Sequence, residues 1–374
     1  MARVRLIATM VLAGLLIAAA LPAAAGAQCT GQTESDGVPQ KPGPPVSWGI
    51  NPAGRAGAAG PSVPLKPISW PKTFQALHQL RPANAPYTVR LNRFFWSRGA
   101  DGVRHFVELT RRYASHGYRV ELQLRYHPRP EQEGRIGRWA NFVRHVVRRF
   151  GRIDAVRAIQ VTNEVNFYPI APDASDSAYD RARDALVRGV IAAHRVVRNH
   201  GFPQLKVGFN WAYRTDPANE ESFWQYLRDQ GGPRFVRSVD WVGLDAYPGT
   251  VFPPVESGDG YRDAMVNAFS VLRDCFLPIP GIPDRVPIYV EENGYPTERG
   301  VRPSSEQVKA MRQMVGATHD FRGTYNVTDY RWFDLRDHNT DSENFQHHYG
   351  LLRDGYGRKR AFDTYRRLVE RFAG

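Results

Sequence analysis

The sequence predicts a single (β/α)8 TIM barrel, and three observations carry that prediction. Short β-branched or aromatic runs alternate with longer segments whose apolar residues recur at helical spacing. Eight such runs occur, and no gap between them is long enough to hold a second domain. The rival architecture, a doubly wound open sheet, normally shows a glycine-rich phosphate turn after its first strand. Neither Gly-x-Gly-x-x-Gly nor a P-loop occurs anywhere in the chain.

The elements follow in order. Arg3 and Arg5 make a basic start, an apolar run covers 6–21, and Ala25-Gly26-Ala27 supplies small residues for cleavage. That three-part pattern predicts a secretory signal peptide over 1–27. The run is shorter than the roughly 20 residues a membrane span needs, and Pro22 closes it. Residues 28–45, rich in Pro, Gly, Ser and Thr, read as a flexible tether, and 46–374 as the barrel domain. Strands are expected at 46–51, 87–95, 119–126, 157–162, 205–211, 240–247, 287–292 and 327–335. Helices are expected at 73–80, 102–115, 136–150, 179–200, 220–229, 261–275, 304–319 and 359–372, and a Gly-, Ala- and Pro-rich loop at 51–67.

Composition narrows the function. With 42% hydrophobic and 23% charged residues, the 374-residue chain is neither disordered, collagenous nor coiled coil. No second apolar run reaches spanning length. The net charge of +13 invites a nucleic-acid reading, but the arginines scatter along helical segments with no block of like charge and no recognition motif. A solvated basic surface is the better account, and it suits dwelling on an anionic cell wall. Cys29 and Cys275 suggest one disulfide in an oxidising compartment, with free thiols as the alternative. No zinc-ligand spacing occurs, and His347-His348 lack convergent carboxylates, so neither a metal nor an organic cofactor is expected.

A barrel places its functional residues at the C-terminal strand ends. The fourth strand ends in Asn163-Glu164, and the seventh in Glu291-Glu292-Asn293-Gly294-Tyr295-Pro296. Each delivers a carboxylate after an apolar run. Retaining glycoside hydrolysis needs such a pair, with its two carboxyl groups roughly 5–5.5 Å apart. Because consecutive strand residues point to opposite faces, only one of Glu291 and Glu292 is expected to face the barrel axis.

The pair resembles the signature of clan A glycoside hydrolases, retaining (β/α)8 enzymes. The resemblance extends over about 48–362 and implies Glu164 as acid/base, Asn163 as a ligand of the substrate 2-hydroxyl, and Glu292 as nucleophile. Glu292-Asn293-Gly294 is similar to family 1, and its extension through Tyr295-Pro296 to family 17. Arg90, in Val89-Arg90-Leu91, resembles the clan arginine that keeps the nucleophile ionised, and Arg93 has the opposite parity. His127 and Tyr247 resemble family 5 positions, although Asp245 stands where that family carries a histidine. Trp332 resembles the tryptophan that floors the cleaved sugar's subsite. Trp96, Trp211, Tyr213, Tyr295 and Trp332 fall at strand ends, where rings stack on pyranose faces, whereas Trp139 and Trp224 read as core.

These readings converge on an exported retaining β-glycosidase, endo-acting on a β-glucan-type polysaccharide. The alternatives are an exo-acting β-glycosidase and a non-catalytic glycan- or wall-binding barrel. A metal-dependent barrel hydrolase lacks the early His-x-His it would need.

Overall fold

The computed structural model describes residues 29–52, 66–167, 174–213, 217–255 and 260–373. The expected leader at 1–27 and most of the 51–67 loop lie outside the described residues. Eight parallel strands close into a barrel in sequence order, each paired with the next and the last with the first. They are β1 (Ser47–Ile50), β2 (Thr88–Phe95), β3 (Arg119–Arg125), β4 (Val156–Val161), β5 (Lys206–Ala212), β6 (Trp241–Ala246), β7 (Ile288–Asn293) and β8 (Val327–Trp332). The closure is a (β/α)8 barrel, as the alternation predicts.

One principal helix follows each strand: α1 (Trp70–Leu80), α2 (Gly99–Ser115), α3 (Ile136–Phe150), α4 (Ala182–His200), α5 (Pro217–Tyr226), α6 (Tyr261–Ser270), α7 (Ser304–Asp320) and α8 (Arg360–Phe372). Periodicity explains their seating. In α3 the residues Ile136, Trp139, Ala140, Val143, Val146, Val147 and Phe150 are buried, an i, i+3, i+4, i+7 stripe turned toward the strands. The sequence places α4 three residues too early, because residues 179–181 precede the helix and Arg181 takes a left-handed φ of 57°.

The barrel interior is charged rather than aliphatic, and a missing side chain makes room for it. A Cβ on Gly49 of β1 would sit 2.3 Å from the Thr88 carbonyl and 2.7 Å from Cδ of Arg331, so only glycine leaves space for that inward arginine. At the opposite rim, a Cβ on Gly294 would meet the Phe333 carbonyl at 2.2 Å, which fixes glycine immediately after β7.

The stretch read as a flexible tether is strapped to the barrel wall where it is described. Cys29 is disulfide-bonded to Cys275, closing a loop of 246 residues. The Gln32 amide donates to Ser270 Oγ at 2.7 Å, the Ser35 amide to Asp263 at 2.9 Å, and Asn267 of α6 donates to the Thr30 and Gln32 carbonyls. Composition favours a free coil, but side chains on α6 satisfy the strap's backbone groups. Among the described residues no helix is long and apolar enough to cross a membrane. Replacing both cysteines by serine is expected to cost about 2–4 kcal/mol of stability, read as a lower urea midpoint, with a steeper slope because the freed chain exposes more surface on unfolding. An unmoved midpoint would mean that hydrogen bonds alone hold the strap.

Candidate active site

The site is built around Arg90, which β2 projects along the barrel axis and which is fully buried. Its Nη1 donates to Glu292 Oε1 at 2.9 Å and its Nη2 to Gln160 Oε1 at 2.6 Å. Its Nε lies 2.9 Å from Glu291 and 3.3 Å from Glu121. Burial alone would lower the Arg90 pKa, but the surrounding carboxylates of Glu292, Glu291, Asp245 and Glu121 more than offset that and raise it. Arg93 instead lies over the Phe95 ring.

Both glutamates of β7 reach Arg90, against the expectation that only one would face the axis. The register supplies the reason. Val290 pairs with Tyr330 and Asn293 with Trp332, so three steps on β7 oppose two on β8. The extra residue is a bulge, and it turns Glu291 and Glu292 inward together. Exposure separates them: Glu291 is fully buried, whereas the Glu292 side chain is 12% exposed. Burial, then the neighbouring Glu121, raises the pKa of Glu291 well above the carboxylate range. On Glu292, Tyr247 donates its hydroxyl to Oε2 at 2.8 Å, so both carboxylate oxygens accept hydrogen bonds.

Glu164 stands across from this pair on a strained turn. Thr162 and Glu164 adopt φ of 66° and 47°, left-handed values that bulky residues rarely take. Side chains hold the turn. Asp176 accepts the Asn163 amide at 2.9 Å, Asn210 accepts the Glu164 amide at 2.9 Å, and Ser175 donates to the Glu164 carbonyl at 2.6 Å. Asp176 is itself anchored by Arg125 at 2.8 Å and the Tyr126 amide at 2.7 Å. Asn163 accepts from Gln123 at 2.7 Å and from Asn210 at 2.9 Å, and its amide points at Glu164 Oε2.

One oxygen each of Glu164, Asp245 and Glu292 lie within 4.8 Å of one another. Burial, then the Glu292 charge, pushes the Glu164 pKa up to about 8, against smaller lowering effects from Arg125, Arg90 and a hydrogen bond to Asp245. Burial and the same two glutamates raise Asp245 well above its usual range, and Asn210 also hydrogen-bonds its carboxyl. Three such oxygens are close enough to hold a divalent cation. The donor set suits one poorly, because Arg90 and Tyr247 already occupy Glu292 and two of the three acids favour the protonated form.

Several residues expected to stack on sugar face the helix layer instead. Trp332 is fully buried and packs beside Tyr365 of α8. Trp211 is fully buried against Phe276, with its indole N–H on Glu220. Trp96 lies between Tyr126 and Trp139, and Tyr295 packs against Tyr261. The cause is strand parity. Arg331 takes the inward position on β8, so its neighbours Tyr330 and Trp332 point outward. His127 is half-buried between Phe95 and Tyr179, and Tyr213 is half-buried with its hydroxyl on Asn267. Trp139 and Trp224 are fully buried. The rings that do lie by Glu292 are Tyr247 and Tyr349, 5.2 Å apart.

Sequence reasoning missed Gln123, Gln160, Asn210 and Asp176, and treated Asp245 only as a departure from a family pattern. A signal was present: Glu121, Gln123 and Arg125 alternate with Val120, Leu122 and Leu124 on a strand whose outer face is covered.

No protein-family model and no curated protein matches the chain. Solved structures do. A family 39 glycoside hydrolase from the gut symbiont Bacteroides cellulosilyticus superposes with a TM-score of 0.58 at 14% identity, over 87% of this chain and 64% of that one, under two-thirds of its length. A fungal β-1,4-galactanase gives 0.56 at 13% identity over 86% of this chain and 99% of that one. The family 1 β-glucosidase of Thermotoga maritima gives 0.58 at 13% identity, over 90% and 99%. The likeness is one of fold.

Arg90→Met would leave three acids without their shared cation. Breaking such a buried cluster is expected to destabilise the protein by about 3–5 kcal/mol, measured by chemical denaturation. Wild-type stability in that variant would mean that protons, rather than Arg90, neutralise the cluster.

Proposed function

We propose that the protein is an exported retaining β-glycoside hydrolase, with Glu292 as nucleophile and Glu164 as acid/base. The observation that carries this is the spacing of the two carboxyls. Oxygens of Glu164 and Glu292 lie within 4.8 Å, on the side of double displacement, whereas inversion leaves room for a water with roughly 6.5–9.5 Å between the groups. The unequal surroundings of the two supply the second support. Arg90 and Tyr247 hold Glu292 in acceptor geometry, while Glu164, its pKa raised to about 8, carries a proton at neutral pH.

The reaction follows from those states. Glu164 protonates the glycosidic oxygen while Glu292 attacks the anomeric carbon, forming a glycosyl ester and releasing the leaving group. Esterification removes the Glu292 charge, the second-largest cause of the raised Glu164 pKa, so Glu164 becomes a stronger acid once its proton has gone. The resulting carboxylate then takes a proton from water, which cleaves the ester and restores both groups. Asn163, held by Gln123 and Asn210, is the proposed ligand of the sugar 2-hydroxyl, which would take the place of Glu164 Oε2 or the Ala174 carbonyl as acceptor of its amide. No cofactor enters. The leader-like segment at 1–27 favours a substrate outside the cytoplasm, and an endo-cleaved β-glucan-type polysaccharide is the proposed class.

Glu164→Gln and Glu292→Gln should each lower kcat on the hydrolysed polysaccharide by at least about a thousandfold, in a reducing-end assay over plant, fungal and bacterial wall polymers. Azide should restore turnover to Glu292→Ala with inverted product stereochemistry. Rescue at Glu291→Ala instead would overturn the assignment, and release surviving both glutamine variants would refute it. Because Glu164 must be protonated to act, kcat/KM should fall as pH rises through about 8. That limb should be lost in Glu164→Gln measured on a substrate with an activated leaving group. A limb that persists there belongs to another residue.

A further inference from the structure

The outer faces of α3 and α4 carry a feature that hydrolysis does not use. Between these helices lies a groove of about 590 Å3 whose ionisable lining is arginine alone: Arg135, Arg144, Arg181, Arg188, Arg195 and Arg234. Its floor is apolar, formed by Ile136, Ala140, Ile191 and Ala192. A second hollow of about 410 Å3 shares Ile191, Arg195 and Arg234 with the first and adds Arg198 and Arg237. The two form one channel. It starts beside Gly134 and Arg181, where α3 and α4 leave the rim that bears Glu164, and descends to the far end of α4. From Arg181 to Arg198 the helix rise alone gives about 25 Å.

Apart from Arg181, the charge in this channel is not balanced by an acidic partner among the described residues. No aspartate or glutamate lines either hollow among the described residues. Asp184 pairs with Arg181 at 2.8 Å, and Asp240 accepts the Val207 amide at 2.8 Å. Neither reaches Arg135, Arg188, Arg195, Arg198, Arg234 or Arg237, which have no acidic partner among the described residues. The sequence concentrates them: α3 contains no acid, and Asp184 is the one acid in α4. Like charges crowded on facing helices repel one another, and a bound polyanion would relieve that repulsion.

We propose that this channel binds an anionic polysaccharide, whose phosphate or carboxylate groups are taken by the guanidinium forks while the barrel mouth works on glycan nearby. The planar guanidinium pairs with both oxyanions in a two-pronged fashion. The channel's length suits a chain rather than a single ion. Among the described residues its lining has no phenylalanine, tyrosine or tryptophan ring on which a nucleobase could stack, and its one imidazole, His194, lies in the lower hollow. It also has no large exposed apolar side chain to enter a membrane, since the one such residue among those described, Val301, lies on the loop after β7. That the polymer is a glycan rests on the hydrolase reading, whereas affinity for a polyanion does not.

The test uses the full chain carrying Glu292→Gln, so that binding is read without turnover. Titration with polygalacturonate and with a polyol-phosphate wall polymer, at physiological ionic strength, separates the carboxylate source from the phosphate source. The triple variant Arg188→Gln/Arg195→Gln/Arg234→Gln should weaken binding of at least one polymer by about tenfold or more and flatten its salt dependence. Arg111→Gln/Arg312→Gln/Arg367→Gln removes the same charge from exposed positions elsewhere and should change affinity less than about twofold. Thermal stability should not fall in either triple variant, and turnover of a neutral substrate by the same variants with Glu292 intact should be unaffected. Equal losses in both triple variants, or no binding of either polymer, would overturn the proposal. Tighter, groove-dependent binding of duplex DNA or phosphatidylglycerol vesicles would overturn the choice of partner. Groove-dependent binding with no hydrolysis of any glycan would sink the hydrolase reading and leave the polyanion channel standing.

Discussion

The guanidinium of Arg90 is the contact on which both the barrel and its proposed chemistry depend. It touches acids delivered by β3 and β7, a glutamine from β4, and at 3.3 Å the Asn51 side chain just after β1. A charge buried so deeply is tolerable only when it is paired on every side. Closing the barrel therefore assembles the site, because the same strands that complete the sheet bring the counter-charges. Arg331 repeats the arrangement one layer away, between Glu121 at 3.3 Å and Asp329 at 2.8 Å, in space that Gly49 leaves open.

From that centre the two facing carboxyls acquire different characters. Glu292 meets a cation and a phenol. Glu164 meets a desolvated wall and the Glu292 charge, and in the proposed double displacement the second of these influences would disappear on esterification of Glu292. On that proposal one residue serves as acid and afterwards as base without any movement of the backbone. The strained turn at 162–164 is the structural cost of aiming Glu164 across the barrel, and Asp176, Asn210 and Ser175 offset it with hydrogen bonds to backbone.

Surface charge also acquires a shape only in the folded chain. The arginines of α3 and α4 are separated by some forty residues of sequence and look dispersed there. The barrel sets the two helices side by side, and the basic residues become the walls of one channel beside the rim. Dispersed charge points to no particular site, while converged charge with few acidic partners is the basis of the proposed polyanion channel.

The sequence by itself determined the alternation of eight strands and helices, the faces the helices bury, and the strand ends at which Glu164 and Glu292 sit, because local periodicity and strand-end position are properties of neighbouring residues. The inward run of Glu121, Gln123 and Arg125 was equally legible as a period of two. What only the tertiary structure decided depends on register between strands. The bulge on β7 turned both Glu291 and Glu292 inward, and Arg331 held the axial position that sent Trp332 outward to α8. The tether became a strap because α6 offers its backbone partners. A single residue of slip between neighbouring strands exchanges core for site, and that slip is set by pairing across the barrel, which no local pattern encodes.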